Sequence, residues 1–247
     1  MSVTKNAAEL EGMRESGRIA ARVRDALVRC VVPGVTTREL GDRAAALIRG
    51  FGAESAFLGY KGYPGTICVS VNETVVHGIP GDRRIAIGDL VSLDIGVRFR
   101  GFVGDTAVTV LVGVADPAKV RLVRTAERAL AAGIAAARVG NRVSDISRAV
   151  QQEVEAAGFS VVRRFVGHGV GRQMHEEPEI PNFVTAGRGA ALKAGMTLAI
   201  EPMVNEGGSD VDVLADGWTV VTSDGLPSAH AEHTVAVCDG NAEILTA

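Results

Sequence analysis

The sequence predicts an α+β chain built from two similar halves. Segments of helical period precede segments rich in Val and Ile, in the same order, twice over. Glycines punctuate both passes at the same spacing, and in each pass two acids fall at matching points of apolar strands. A length of 247 residues suits one generous domain with a full core.

The elements follow in chain order. Leu10, Met13, Gly17, Ala20, Leu27 and Val31 recur at three- and four-residue steps, which makes residues 7 to about 31 an amphipathic helix ended by Pro33-Gly34. Thr36-x-x-Glu39 is a capping box opening a second helix, with Leu40, Ala44, Leu47 and Phe51 on one face and Gly52 closing it. Strand material fills residues 65 to 112, clearest in Leu90-Val91-Ser92-Leu93-Asp94-Ile95-Gly96 and again from Asp105 to Val112. An Ala-rich third helix runs from Asp116-Pro117 to Arg138.

From there the plan repeats. The steps from Gly34 to Leu40 and Gly52 recur from Gly140 to Ile146 and Gly158. Gly88 stands to Asp94 as Gly195 stands to Glu201, and Asp105-Thr106-Ala107-Val108 aligns with Glu232-His233-Thr234-Val235. The expected organisation is a single domain over 1–247, with repeated halves at roughly 34–112 and 140–239.

Composition removes several classes of function. Hydrophobic residues make up 47% and charged residues 22%, which excludes general disorder. Lys plus Arg number 26 against 29 Asp plus Glu, a net charge of −3 with no basic footprint for nucleic acid or an anionic membrane. Cys30, Cys68 and Cys238 form no disulfide framework. No apolar run reaches membrane-spanning length and the first twenty residues lack an apolar targeting core, so a cytoplasmic protein is expected.

The acids carry the chemistry. A two-residue turn at Phe99-Arg100 would set Asp94 directly opposite Asp105, and a turn centred on Asp216-Gly217 would set Glu201 opposite Glu232. Like charges about 4 Å apart repel by roughly 4 kcal/mol at an effective dielectric near 20. If the halves face each other, all four acids converge, and two divalent cations cancel their charge. His168, in Gly167-His168-Gly169, adds a nitrogen donor that favours Mn, Fe, Co or Zn over Mg or Ca. No Gly-x-Ser-x-Gly elbow, phosphate-binding Gly-x-x-x-x-Gly-Lys loop or Cys-x-x-Cys pair is present. The spacing of His168 and His175 is not the two-histidine helix motif of zincins.

Several stretches in order resemble the type I methionine aminopeptidases in their short bacterial form, over essentially the whole chain. They are Gly59-Tyr60-Lys61-Gly62-Tyr63-Pro64, Ser70-Val71-Asn72-Glu73, His77-Gly78-Ile79-Pro80, Asp94-Ile95-Gly96 and Gly104-Asp105-Thr106. Farther on come Gly167-His168-Gly169-Val170-Gly171-Arg172, His175-Glu176-Glu177-Pro178, Ile200-Glu201-Pro202 and Glu232-His233-Thr234. The resemblance implies the pita-bread fold: two pseudo-symmetric halves around a central antiparallel sheet covered by helices.

It further implies that Asp105, His168, Glu201 and Glu232 hold one metal ion and that Asp94, Asp105 and Glu232 hold a second. Catalysis by a metal-bridging hydroxide follows, with His175 stabilising the oxyanion, His77 contacting the scissile amide nitrogen and Glu201 shuttling the proton. Phe57, Tyr60, Tyr63, Cys68, Met174 and Trp218, with His77 and His175, match substrate-binding positions. Phe57 and Met174 depart from the smaller residue and the Phe that many members carry there, which bears on pocket volume rather than reaction. Trp218, the sole Trp, read by itself serves either the pocket or a core beside the Asp216-Gly217 turn. The implied substrates are peptides and nascent proteins beginning with Met, with a small second residue, acted on by a monomer. Within the same fold, Xaa-Pro aminopeptidases and prolidases usually carry a substantial N-terminal domain, and only about thirty residues precede the first repeat helix here. A non-catalytic peptide- or RNA-binding scaffold would have no reason to keep repelling acids together.

Overall fold

A computed structural model describes residues 4–113 and 116–247. Four long helices form where the capping and periodicity place them: α1 (Ala7–Val28), α2 (Thr37–Gly50), α3 (Pro117–Ala136) and α4 (Val143–Ala156). The Thr36 hydroxyl accepts from the Glu39 amide at 3.2 Å while the Glu39 carboxylate accepts from the Thr36 amide at 2.7 Å, the reciprocal cap expected for α2. At α4 the Asp145 carboxylate accepts from the Arg142 amide at 2.8 Å. Helix α1 closes at Val28, a few residues short of Pro33.

The helices lie against a nine-stranded sheet whose central path runs Glu54–Ser55, Leu90–Phe99, Phe102–Leu111, Glu232–Ala236, Thr197–Ile200, Gly167–Gly169, Glu176–Ile180, with every neighbouring pair antiparallel. Strand alternation sorts its residues: Leu93, Ile95 and Val97 enter the core beneath α1 and α2, and Asp94 and Gly96 take the opposite face. Val235, Leu198 and Ile200 pack beneath α3 and α4.

The two passes along the chain make matching contacts. Gly34 and Gly140 hold left-handed φ values of 92° and 93°. Thr36 bridges to Arg84 as Arg142 bridges to Ala191, and the Gly88 amide donates to Val112 O as the Gly195 amide donates to Val237 O.

Helix α1 comes close enough to the sheet to touch backbone. Ser16 Oγ lies 2.9 Å from Val97 O and 3.1 Å from Phe102 O, and a Cβ built on Gly104 would lie 2.7 Å from Gly17 Cα. Gly104→Ala therefore forces helix and strand apart and is expected to cost about 1–3 kcal/mol. Gly50→Ala, in open space at the end of α2, should be neutral or stabilising. Thermal denaturation of the two variants beside the parent protein checks this pair.

Candidate metal centre

The first pair of acids comes from one hairpin. Its turn is Arg100-Gly101, with φ of 48° and 81°, rather than Phe99-Arg100. Positive φ at both central positions is the type I′ hairpin turn, and Gly101 supplies the second at no steric cost. The register therefore moves by two: Asp94 faces Ala107, and Asp105 faces Gly96. The acids share a face as diagonal neighbours, about 7–8 Å apart at the backbone instead of 4.5–5.5 Å, which eases the repulsion expected of a direct pair.

The second pair comes from a longer excursion that keeps one register throughout. Ile200 pairs with His233, Met203 with His230 and Val213 with Val220. These pairings place Glu201 across from Glu232 and centre the excursion on Asp216-Gly217, as expected. The tip is a wider loop than a two-residue turn: the Leu214–Thr219 hydrogen bond closes it, and the Asp216 carboxylate accepts from the Trp218 and Thr219 amides, both at 2.8 Å.

The halves meet where Phe102–Leu111 lies beside Glu232–Ala236, through the pairs Ala107–Glu232 and Thr106–His233. Threonine hydroxyls complete this short seam. Thr234 Oγ1 accepts from the Asp105 amide at 3.0 Å and donates to Asp105 O at 2.8 Å, and Thr106 Oγ1 donates to Glu232 O at 2.9 Å. The backbones of both seam acids are thus held without using their carboxylates.

His168 arrives on Gly167–Gly169, paired with Ala199. Its Nδ1 donates to Gly169 O at 2.9 Å, because a carbonyl can only accept, so Nε2 offers a lone pair toward the acids. That Nε2 lies 3.4 Å from Glu201 Oε1 and 3.8 Å from Asp105 Oδ2. Ligand atoms of Asp105, His168 and Glu232 all lie within 4.8 Å of one another. Asp94 and Glu201 line the same cavity.

The donor set fits divalent cations. Asp94 Oδ1, Asp105 Oδ1 and Glu232 Oε1 are buried without a hydrogen-bond partner, a costly state for carboxylate oxygens. Burial pushes Asp94 up to about 7. Burial, then mutual repulsion, raises Asp105, Glu201 and Glu232 well above the carboxylate range. His168 moves the other way, to about 3, mainly through burial, and stays a neutral donor.

Beside the acids opens a cavity of about 190 Å³, smaller than the roughly 300–1,000 Å³ that encloses drug-sized ligands. Phe57, Tyr60, Tyr63, Cys68, His77, Met174, His175 and Trp218 all line it. A Cβ on Gly96 would collide with the Phe57 ring, so the bulk of Phe57 depends on that glycine. Trp218 meets Tyr63 edge-on at 5.1 Å, which gives it a place in the pocket wall. The Tyr60 hydroxyl and His175 Nδ1 are hydrogen-bonded at 2.9 Å, and the His175 ring sits 4.1 Å from that of His168. His77 holds a left-handed φ of 60° and packs edge-on to Phe165 at 5.5 Å. Its pKa falls to about 4, mainly through burial. Lys61, Val76, Phe165, Val166 and Met203 complete the lining, and sequence reasoning did not single them out. His230 escaped it too, although strand alternation, which puts residues 230 and 232 on one face, could have found it.

A family model described as metallopeptidase family M24 matches residues 11–239. The chain belongs to metallopeptidase family M24. Among M24 relatives, methionine aminopeptidase of Clostridium perfringens is 50% identical, covering 100% of this chain and 99% of that protein. Methionine aminopeptidase 1 of Bacillus subtilis is 48% identical over the same shares. The crystal structure of methionine aminopeptidase from Thermotoga maritima superposes with a TM-score of 0.97 at 44% identity, covering 100% of this chain and 99% of that one. Prolidase from Pyrococcus furiosus shares the fold at 23% identity and a TM-score of 0.82, the match covering 100% of this chain and 66% of that one. The fold is the pita bread that the motifs implied. As an M24 metallopeptidase the chain is a divalent-metal protein. Among the described residues, no helix is long and apolar enough to cross a membrane.

The buried acids make the stability of this M24 protein depend on pH when it is stripped of metal. Between an acid's ordinary value and its raised one, the folded state holds a proton that the unfolded chain has released, so stability falls as pH rises. The buried histidines, His168 at about 3 and His77 at about 4, act oppositely, but only below the unfolded value near 6.5. Above about pH 6.5 the histidine contribution fades and the acids dominate, joined toward pH 8.5 by the Cys68 thiol, which burial also pushes up. Chelator-stripped protein should therefore lose melting temperature from pH 6.5 to 8.5 and regain it with Mn²⁺, and Asp94→Asn should flatten the metal-free slope. A metal-free melting curve that is level over this range would contradict the assignment.

Proposed function

We propose that this chain removes the N-terminal methionine from peptides and nascent proteins with a small second residue, acting as a cytoplasmic monomer. The observation that supports the reading is that Asp105, His168 and Glu232, whose ligand atoms lie within 4.8 Å of one another, share a cavity of about 190 Å³ with Asp94, Glu201 and the rings of Phe57, Tyr60, Tyr63 and Trp218. Asp94, Asp105, His168, Glu201 and Glu232 would hold two divalent ions, drawn from Mn, Fe, Co or Zn, with Asp105 and Glu232 shared between them. Bound there, such ions supply Lewis acidity and bring a water's pKa down toward about 7.

The remaining steps belong to side chains. Glu201 accepts a proton from the attacking water and delivers it to the leaving amine. His175, its Nδ1 occupied by the Tyr60 hydroxyl, presents Nε2–H to the developing oxyanion of the scissile carbonyl. His77 contacts the scissile amide nitrogen, and its lowered pKa keeps it neutral at physiological pH. Tyr60, Tyr63, Trp218 and Phe57 wall the pocket with rings, which favour a flexible thioether through sulfur–aromatic contact.

The test is release of methionine from Met-Ala and Met-Leu peptides that differ only at the second residue, with chelation and readdition of each metal. His77→Ala and His175→Ala should keep the metal content while lowering kcat, by about 10²–10³-fold for the oxyanion donor. Unchanged turnover in both variants would remove their roles. Metal-independent cleavage would remove the reading itself.

A further inference from the structure

One more imidazole is buried against the acids. His230 is 2% exposed, and its Nε2 has no hydrogen-bond partner and lies 3.9 Å from Glu201 Oε2. The position is built rather than incidental. The His230 amide donates to Thr109 Oγ1 at 2.9 Å, and the same hydroxyl donates to His230 O at 2.7 Å, pinning this residue to the first half of the sheet.

Glu201 therefore stands between two imidazoles, with Oε1 toward His168 at 3.4 Å and Oε2 toward His230. The two rings have different parts to play. His168 gives its Nδ1 proton to Gly169 O and turns a lone pair inward. A second lone pair facing the Glu201 carboxylate would repel it, whereas an N–H there satisfies two buried groups at once. The gap exceeds a hydrogen bond by about 1 Å, a distance within reach of the torsions of a glutamate side chain.

We propose that His230 is a positioning residue that donates Nε2–H to Glu201 Oε2, leaving Oε1 as the oxygen turned to metal and substrate. This rests on the reading of Glu201 as ligand and proton carrier. It extends the centre to a residue outside the motif-matched set.

The test compares wild type, His230→Leu and His230→Gln, each stripped and titrated with Mn²⁺ by calorimetry, then assayed on a Met-Ala peptide. Removing an outer partner of a ligand typically costs about 10–100-fold in affinity or activity. His230→Leu should lose that much in Mn²⁺ affinity and kcat while KM stays within about twofold, since the methionine pocket is untouched. His230→Gln, whose amide offers a donor to the same oxygen, should recover most of both. Should the Leu variant fail to fold, a nitrogen-15 spectrum of the wild type decides, in which His230 must carry its proton on Nε2; a proton on Nδ1 overturns the inference. A Leu variant that binds Mn²⁺ and turns over like wild type overturns the inference, as does a Gln variant no better than a folded Leu variant. Wild type that neither binds Mn²⁺ nor releases methionine overturns instead the function on which the inference rests.

Discussion

Four carboxylates withdrawn from water around one cavity cannot all ionise unaided, and the rest of this structure is arranged around that constraint. Asp94, Asp105 and Glu232 each bury an oxygen with no hydrogen-bond partner, and burial together with mutual repulsion raises the proton affinity of Asp105, Glu201 and Glu232. Arg or Lys partners would quench the charge but leave nothing for chemistry. Divalent cations would neutralise it while keeping open positions for water and substrate, so on the proposed reading the electrostatic cost of the site and its reactivity have one origin.

The scaffold has to hold these acids without satisfying them. Threonines do this at the seam: Thr106, Thr109 and Thr234 bond backbone atoms of Glu232, His230 and Asp105, and so fix their positions while leaving the carboxylates and the imidazole unengaged. Small residues opposite the acids, Ala107 and Gly96, clear the space in front of them. Gly96 also admits the Phe57 ring, which links the geometry of the acid cluster to the volume of the cavity beside it.

The repetition of one order of elements is why two acids come from each half. Each pass of helix, helix and hairpin presents a pair on the strand face away from its helices, and joining the passes edge to edge brings the pairs together. The passes differ most in their hairpins. One is a tight turn at Arg100-Gly101; the other is an excursion whose tip carries Trp218 back to the pocket, with Gly217 in its loop at a φ of 77°.

Periodicity, capping and glycine spacing are local properties, and they were enough to place α1 to α4, the duplicated order and the acid-bearing strands. The register of the second excursion was also legible, because Asp216-Gly217 marks its centre in the sequence. The register of the first hairpin was not: Phe99-Arg100 and Arg100-Gly101 are both short turns on paper, and only the positive φ demanded by strand twist selects the pair containing glycine. Tertiary structure alone decided which distant groups meet. Phe165 and Met203 enter the pocket wall, and His230 comes to face Glu201, through packing between segments far apart in the chain, where no residue pattern records the distance.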